Sequence, residues 1–197
     1  MIISMNRIIK LIYIYFKQIY MIFLKNHICG ISIFRRFYNF KIMGTNNTIV
    51  VKSHLPINVS IVIYGDNHKL TIEENVVFKK GQIWFEDHDC EICIESGTTI
   101  EEAHLAVAEN GTKILIGKDC MFSKGIHIAT TPAQDIIIGN HVWLGYCANV
   151  NKGVSIGDNV VVAGHSVVTK SIPANSIVAG VSARIVKSNI TWNRIRI

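Results

Sequence analysis

Residues 138–168 read IGNHVWLGYCANVNKGVSIGDNVVVAGHSVV, and an aliphatic side chain returns at every sixth position: Ile138, Leu144, Val150, Ile156, Val162 and Val168. Upstream the opening phrase recurs at a longer step. Ile72, Ile94, Ile116 and Ile138 stand 22 residues apart and open IEENVVF, IESGTTI, IGKDCMF and IGNHVWL, and a fifth copy, IGDNVVV, begins at Ile156 after a step of 18. Ile94, Ile100 and Ala106 fall on the beat of six, as do Ile116, Phe122 and Ile128. A fixed period of this size marks a solenoid.

Three strands of about six residues make a triangular rung, with the aliphatic residue pointing inward and Gly, Asn or Asp turning the corners. Such rungs stack in parallel and bury one continuous core. The step of 22 adds four residues after the third strand, around residues 87–89, 109–112 and 132–134, which predicts a ridge of stacked tips along one edge. A sandwich, with strands every 8–12 residues or about that, does not reproduce five phrases in register.

The net charge of +6 is unevenly placed. Seven of the 20 basic residues (Arg7, Lys10, Lys17, Lys25, Arg35, Arg36 and Lys41) lie in residues 1–43, which hold no Asp or Glu, leaving 13 basic against 14 acidic residues elsewhere. A general nucleic-acid surface is therefore not indicated. Residues 6–25 place Asn6, Arg7, Lys10, Lys17, Gln18 and Lys25 on one helical arc of about 120°, opposite Ile, Leu, Phe, Tyr and Met. This predicts an amphipathic helix that either lies on a membrane surface or packs on protein over a sheet edge. Lys17 at mid-span argues against a spanning helix, and no small-residue cleavage site follows to suggest a signal peptide. The expected organisation is residues 1–48 as basic helix and linker, residues 49–173 as the repeat coil and residues 174–197 as a closing segment.

Five cysteines without a framework fit a reducing cytoplasm, with peripheral attachment to the inner membrane face as the expectation if the helix binds lipid. His88, Cys90 and Cys93 give a weak metal signal, because Cys90 and Cys93 face opposite sides of a strand. No metal is expected.

The run from Ile138 to Gly145, followed by GVSIGDNVVVAGHSVVTKSIPANSIVAG from Gly153, resembles the hexapeptide-repeat acyltransferases. The likeness is close over residues 114–187 and strongest to the bacterial sugar and capsule O-acetyltransferases of the maltose, galactoside and sialic-acid types. It implies a left-handed parallel β-helix, acetyl-CoA as acyl donor, a sugar or polysaccharide acceptor, and a homotrimer with active sites between adjacent prisms. In the chemistry it implies, a histidine takes the proton of the attacking hydroxyl and backbone N–H groups steady the oxyanion.

The family carries its catalytic histidine on an extended loop after the stretch equivalent to GIHIAT. Here residues 130–135 read TTPAQD, and no histidine lies between His127 and His141. His127, nearest in sequence and expected at a corner, is the candidate base, with His141 and His165 behind it. His104, His127 and His141 have spacings that do not resemble a three-histidine zinc cluster. Trp143 matches the family tryptophan beside the acetyl end of CoA. Gly145, Ala163, Gly164 and Ser166 match the small positions along the cofactor, and Lys170 and Arg184 match its basic residues. Where relatives read AGNPA before the basic residue, this chain reads AGVSA from Ala179, which removes a rigid turn and puts the placement of Arg184 in question. A homologue that keeps the coil without turnover, or a solenoid that only binds a partner, stays open as an alternative.

Overall fold

The computed structural model describes residues 24–30, 40–130 and 134–194, and they form a parallel β-helix of triangular cross-section. The first face stacks His27–Cys29, Thr48–Val51, Lys69–Ile72, Glu91–Ile94, Lys113–Ile116, Ile136–Ile138 and Ser155–Ile156, each parallel to the next. The second stacks Thr99–Ile100, Met121–Phe122, Trp143–Leu144, Val161–Val162 and Ser176–Ala179. The third stacks Phe40–Met43, Ile57–Tyr64, Val77–Phe85, Ala103–Val107, Ile126–Ala129, Asn149–Val150 and Val167–Val168. Val77–Phe85 turns from the second face into the third, pairing first with Thr99–Ile100 and then with Ala103–Val107.

The repeated isoleucines form the axis of the core. Ile72, Ile94, Ile116, Ile138 and Ile156 are all buried, and with Phe78, Phe85 and Phe122 they fill the prism. Each fully buried side chain of this kind contributes about 1.5–3 kcal/mol relative to exposure. The beat of six slips at two rungs, where the inward step is five residues from Phe78 to Ile83 and from Ile100 to Leu105. Ala106 is half-buried and Leu105 is the inward residue, paired in register with Ile128. The step from Ile100 to Leu105 is one residue shorter than the step from Phe122 to Ile128, and the bend at residues 101–102 takes up the difference.

The described tips at the edge between the third and first faces stack, whereas residues 131–133 of the next expected tip lie outside the described residues. Asn46 donates to Asn67 at 2.8 Å, Asn67 to Asp89 at 3.0 Å, and the His88 backbone N–H to Asn110 at 3.1 Å. Beneath them runs a buried polar ladder, one side chain per rung: Asn26, Asn47, His68, Cys90, Thr112 and Thr130. The Asn47 N–H donates to Asn26, the His68 N–H to Asn47 and the Cys90 N–H to the His68 imidazole, so corner N–H groups that leave the sheet ladder are satisfied inside.

One feature differs from the expected organisation. Coiling starts upstream of Ile49, because His27–Cys29 already pairs with Thr48–Val51 and Phe40–Met43 with Ile57–Tyr64. The expected helix over residues 6–25 lies almost wholly outside the described residues. Among the described residues no helix is long and apolar enough to cross a membrane. At the other end Arg184–Ser188 pairs antiparallel with Ser176–Ala179. The chain then turns back along the edge between the first and second faces, and Asn159 donates to the Ile190 carbonyl at 2.7 Å.

Candidate active site

Trp143 and His127 flank one edge of the prism. Trp143 stands on the second face, in register with Met121. His127 stands on the third, one rung earlier, in the strand Ile126–Ala129 that follows Met121–Phe122 around the corner. His127 is therefore a strand residue and not the corner residue expected, because Gly125, at φ 73°, completes the corner before it. Within the chain the two side chains occupy different faces. Among the described residues no hydrogen bond or ring contact joins them.

The edge itself is built from the small residues. A methyl on Gly145 would lie 2.6 Å from the Gly164 nitrogen and 2.8 Å from the Val162 carbonyl oxygen, so only glycine lets these turns stack. Ala163 is half-buried and Gly164 exposed, which leaves this edge open to a ligand lying along the backbone. Ser166 is different. It is buried, and its hydroxyl accepts from the Gly180 N–H at 3.1 Å. Its side chain fixes the Gly180 turn. His165, beside it, is exposed with its ring edge-on to Tyr146.

His127 is exposed and lines a concavity of about 290 Å³ with Ala129, Asn149, Val150, Asn151 and Lys152. Its Nδ1 lies 3.2 Å from the Nδ1 of His104, which occupies the same register position one rung earlier, and the two rings are 18° from parallel. Burial, and then the nearby charge of His127, hold His104 below its ordinary pKa. Sequence reasoning set His104 aside. The signal was present in its 23-residue separation from His127, which is one long rung plus the slip at Leu105.

Trp143 is 37% exposed. Its indole N–H donates to Ser123 at 3.4 Å, and its ring lies 6.0 Å from that of Trp192 on the returning tail. His141 is taken up by the same tail. Its ring stacks on Trp192, and its nitrogens meet the Asp119 carboxylate at 2.8 Å and the Trp192 carbonyl at 2.9 Å.

Lys170 and Arg184 come together. With Ser171, Ile172, Ala183 and Ile185 they line a second concavity of about 410 Å³. Arg184 follows the buried Ala183, downstream of the Gly180–Ser166 hydrogen bond. Two cations on one concavity suit phosphate groups.

Cys93 and Cys120 offer no activated thiolate. Burial pushes Cys93 and Cys120 up to about 11, and thiols raised in this way are poor nucleophiles. His88 accepts from the Asp66 N–H at 3.1 Å on the edge ridge. Among the described residues no group of three His, Cys, Asp or Glu side chains gathers for a metal ion.

A triangular parallel β-helix wound on a six-residue beat is the architecture of the hexapeptide-repeat coils. The family profile "Bacterial transferase hexapeptide (six repeats)" matches residues 135–170. The crystal structure of the polysialic acid O-acetyltransferase OatWY is similar at 32% identity and a TM-score of 0.62, over 80% of this chain and 92% of that one. The polysialic acid O-acetyltransferase of Neisseria meningitidis is 37% identical over 128 residues, 57% of this chain and 59% of the relative. The galactoside O-acetyltransferase of Escherichia coli (strain K12) is 50% identical over 52 residues, 26% of each chain. The match thus spans less than two thirds of these curated relatives. This chain belongs to the hexapeptide-repeat acyltransferase family.

Proposed function

We propose that this protein is an acetyl-CoA-dependent O-acetyltransferase acting on a sugar or a cell-surface polysaccharide, as in capsule or lipopolysaccharide decoration. The observation that carries the proposal is the likeness to OatWY, a polysialic acid O-acetyltransferase, along 80% of the chain. Lys170 and Arg184 on one concavity support a donor rich in phosphate. Acetyl-CoA supplies an activated acetyl thioester. His127 removes the proton from the acceptor hydroxyl as its oxygen attacks the thioester carbonyl, then returns that proton to the departing CoA sulfur. A positioned base of this kind is worth about 10²–10⁴ in rate. Trp143 packs the acetyl end and the sugar face with its flat ring. Asn149, Asn151 and Lys152 around His127 supply hydrogen bonds and one positive charge, which suits an anionic acceptor.

The assembly in this reading is a homotrimer of left-handed prisms, which sets the Trp143 face of one subunit toward the His127 face of the next. In the same reading the basic and apolar stretch over residues 6–25 holds the enzyme at the inner membrane face. The short segment between Thr130 and Asp135 favours a second reading, in which the coil keeps affinity for CoA but not turnover.

The test is thiol release from acetyl-CoA with polysialic acid and a panel of neutral and acidic oligosaccharides. Acceptor-dependent release that falls at least about tenfold in His127→Ala and Trp143→Ala supports the first reading. CoA binding by calorimetry without release across the panel supports the second. Neither binding nor release would leave a binding solenoid.

A further inference from the structure

We propose that His104 is the positioning residue of the site, accepting a hydrogen bond from Nδ1 of His127 and thereby fixing the tautomer in which Nε2 of His127 is free to take a proton. The inference rests on the reading of His127 as the base.

The argument starts from two nitrogens. The Nδ1 atoms of His104 and His127 stand 3.2 Å apart, within hydrogen-bond distance, with rings 18° from parallel. A neutral imidazole carries one ring proton, so one partner must donate through Nδ1 and the other accept. The donor then has its lone pair on Nε2, and the acceptor has its proton there. A base needs the free Nε2, so the base is the donor of this bond.

Three observations assign the roles. His127 lines the concavity with Asn149, Asn151 and Lys152, and His104 does not. His127 is exposed whereas His104 is half-buried. Burial also lowers the pKa of His104, keeping it neutral and able to accept. When His127 takes the substrate proton it becomes a cation, and its Nδ1–H bond to neutral His104 becomes charge-assisted and stronger. His104 thus does for this histidine what a carboxylate or a backbone carbonyl does in other dyads.

Register makes the pair rigid. Ala103–Val107 and Ile126–Ala129 pair residue for residue, and the inward neighbours Leu105 and Ile128 are fully buried. The backbone of neither histidine can shift without breaking the rung.

The deciding experiment uses the full chain with imidazole-¹⁵N histidine and reads the tautomers by long-range ¹H–¹⁵N correlation at neutral pH. His104→Asn places Oδ1 where Nδ1 stood and retains an acceptor. His104→Leu keeps bulk and removes it. The expected result is the Nδ1–H tautomer of His127 in wild type and His104→Asn, lost in His104→Leu. With it, kcat falls at least about tenfold in His104→Leu and recovers in His104→Asn, while KM for acetyl-CoA stays unchanged. Matched melting temperatures show that the variants fold. An Nε2–H tautomer of His127 in the wild type overturns the inference, as does unchanged turnover in His104→Leu where His127→Ala has lost it. Turnover retained in His127→Ala instead removes the base assignment, and the catalytic meaning of the pair goes with it.

Discussion

Trp192 lies flat on His141, with ring centroids 3.9 Å apart and planes 15° from parallel, and each residue's ring nitrogen donates to the other's backbone carbonyl. The residues are 51 apart in sequence, and the contact ties the returning tail to the middle of the coil. Arg194 continues the clasp, pairing with Asp119 at 3.1 Å and donating to the carbonyls of Gly97 and Cys120. The tail therefore crosses several rungs and couples their stabilities, where stacked repeats otherwise touch only their neighbours.

Trp192→Ala is expected to lower the apparent melting temperature by about 4–8 °C. The lost stack is worth about 0.5–1.5 kcal/mol, and the lost indole hydrogen bond about 1 kcal/mol. Trp192→Phe keeps a flat ring over His141 and should recover part of the shift. An unchanged melting temperature in Trp192→Ala would mean that the tail rests on the coil without holding it. The same variant bares one side of Trp143, 6.0 Å from Trp192, so Trp143 fluorescence should shift toward that of a solvated indole.

Gly145 tests the packing of the edge. A methyl there would meet only backbone of the next turn, at 2.6 Å and 2.8 Å, and backbone has no rotamer in which to retreat. Gly145→Ala should destabilise the protein by about 1–3 kcal/mol, read as a lower midpoint in urea. A variant as stable as wild type would show that neighbouring rungs slide freely at this edge.

Much of the coil is legible in the sequence because its inward positions obey a rule of spacing. Ile72 to Ile156 could be aligned without coordinates, and all five are buried as the beat requires. The rule fails at Ala106, where a five-residue step passes the inward position to Leu105, because alanine and leucine both satisfy an apolar pattern. The site was less legible. His127 was found through its neighbourhood, but its contact with His104 depends on register, which the slip at Leu105 conceals. Lys170 and Arg184 could be named from a resemblance, yet their meeting on one concavity follows from the antiparallel turn of Arg184–Ser188. The clasp of Trp192 on His141 left no local signal, since side-chain contacts across 51 residues carry no period.

His68 makes stability depend on pH. It is buried in the polar corner ladder, where its Nδ1 accepts from the Cys90 N–H and its Nε2–H donates to the Tyr64 carbonyl, so the neutral ring is the bonded form. Burial holds its pKa below the ordinary 6.5. The unfolded chain takes up a proton near pH 6.5, and the folded chain resists until lower pH. Between those values the unfolded state holds more protons, and stability falls as pH falls. The contribution is full above about pH 7.5 and declines below about 6.5. His104, lowered by burial and by His127, acts in the same window and direction. Melting temperatures from pH 8 to 5 should therefore decline below about 6.5. His68→Asn, which keeps an acceptor for Cys90 without a titrating group, should flatten that decline. An equally steep fall in the variant would assign the dependence to other groups.

The basic pair Lys170 and Arg184 makes the last prediction. Both side chains are exposed and line the same concavity, so the attraction they offer a phosphate is screened by water and salt. Lys170→Ala and Arg184→Ala should each weaken CoA binding about three- to tenfold, with the larger effect at Arg184, whose planar fork can take two oxygens at once. The double variant should lose more than either single one, and raising the salt should weaken wild type more than the double variant. Calorimetry at two salt concentrations reads both effects. Affinity for dephospho-CoA, which lacks the 3′-phosphate, separates the contacts further: a variant whose missing cation meets that phosphate no longer distinguishes it from CoA. Wild-type affinity in the double variant would move the donor away from this concavity and leave the open edge at Ala163 and Gly164 to hold it unaided.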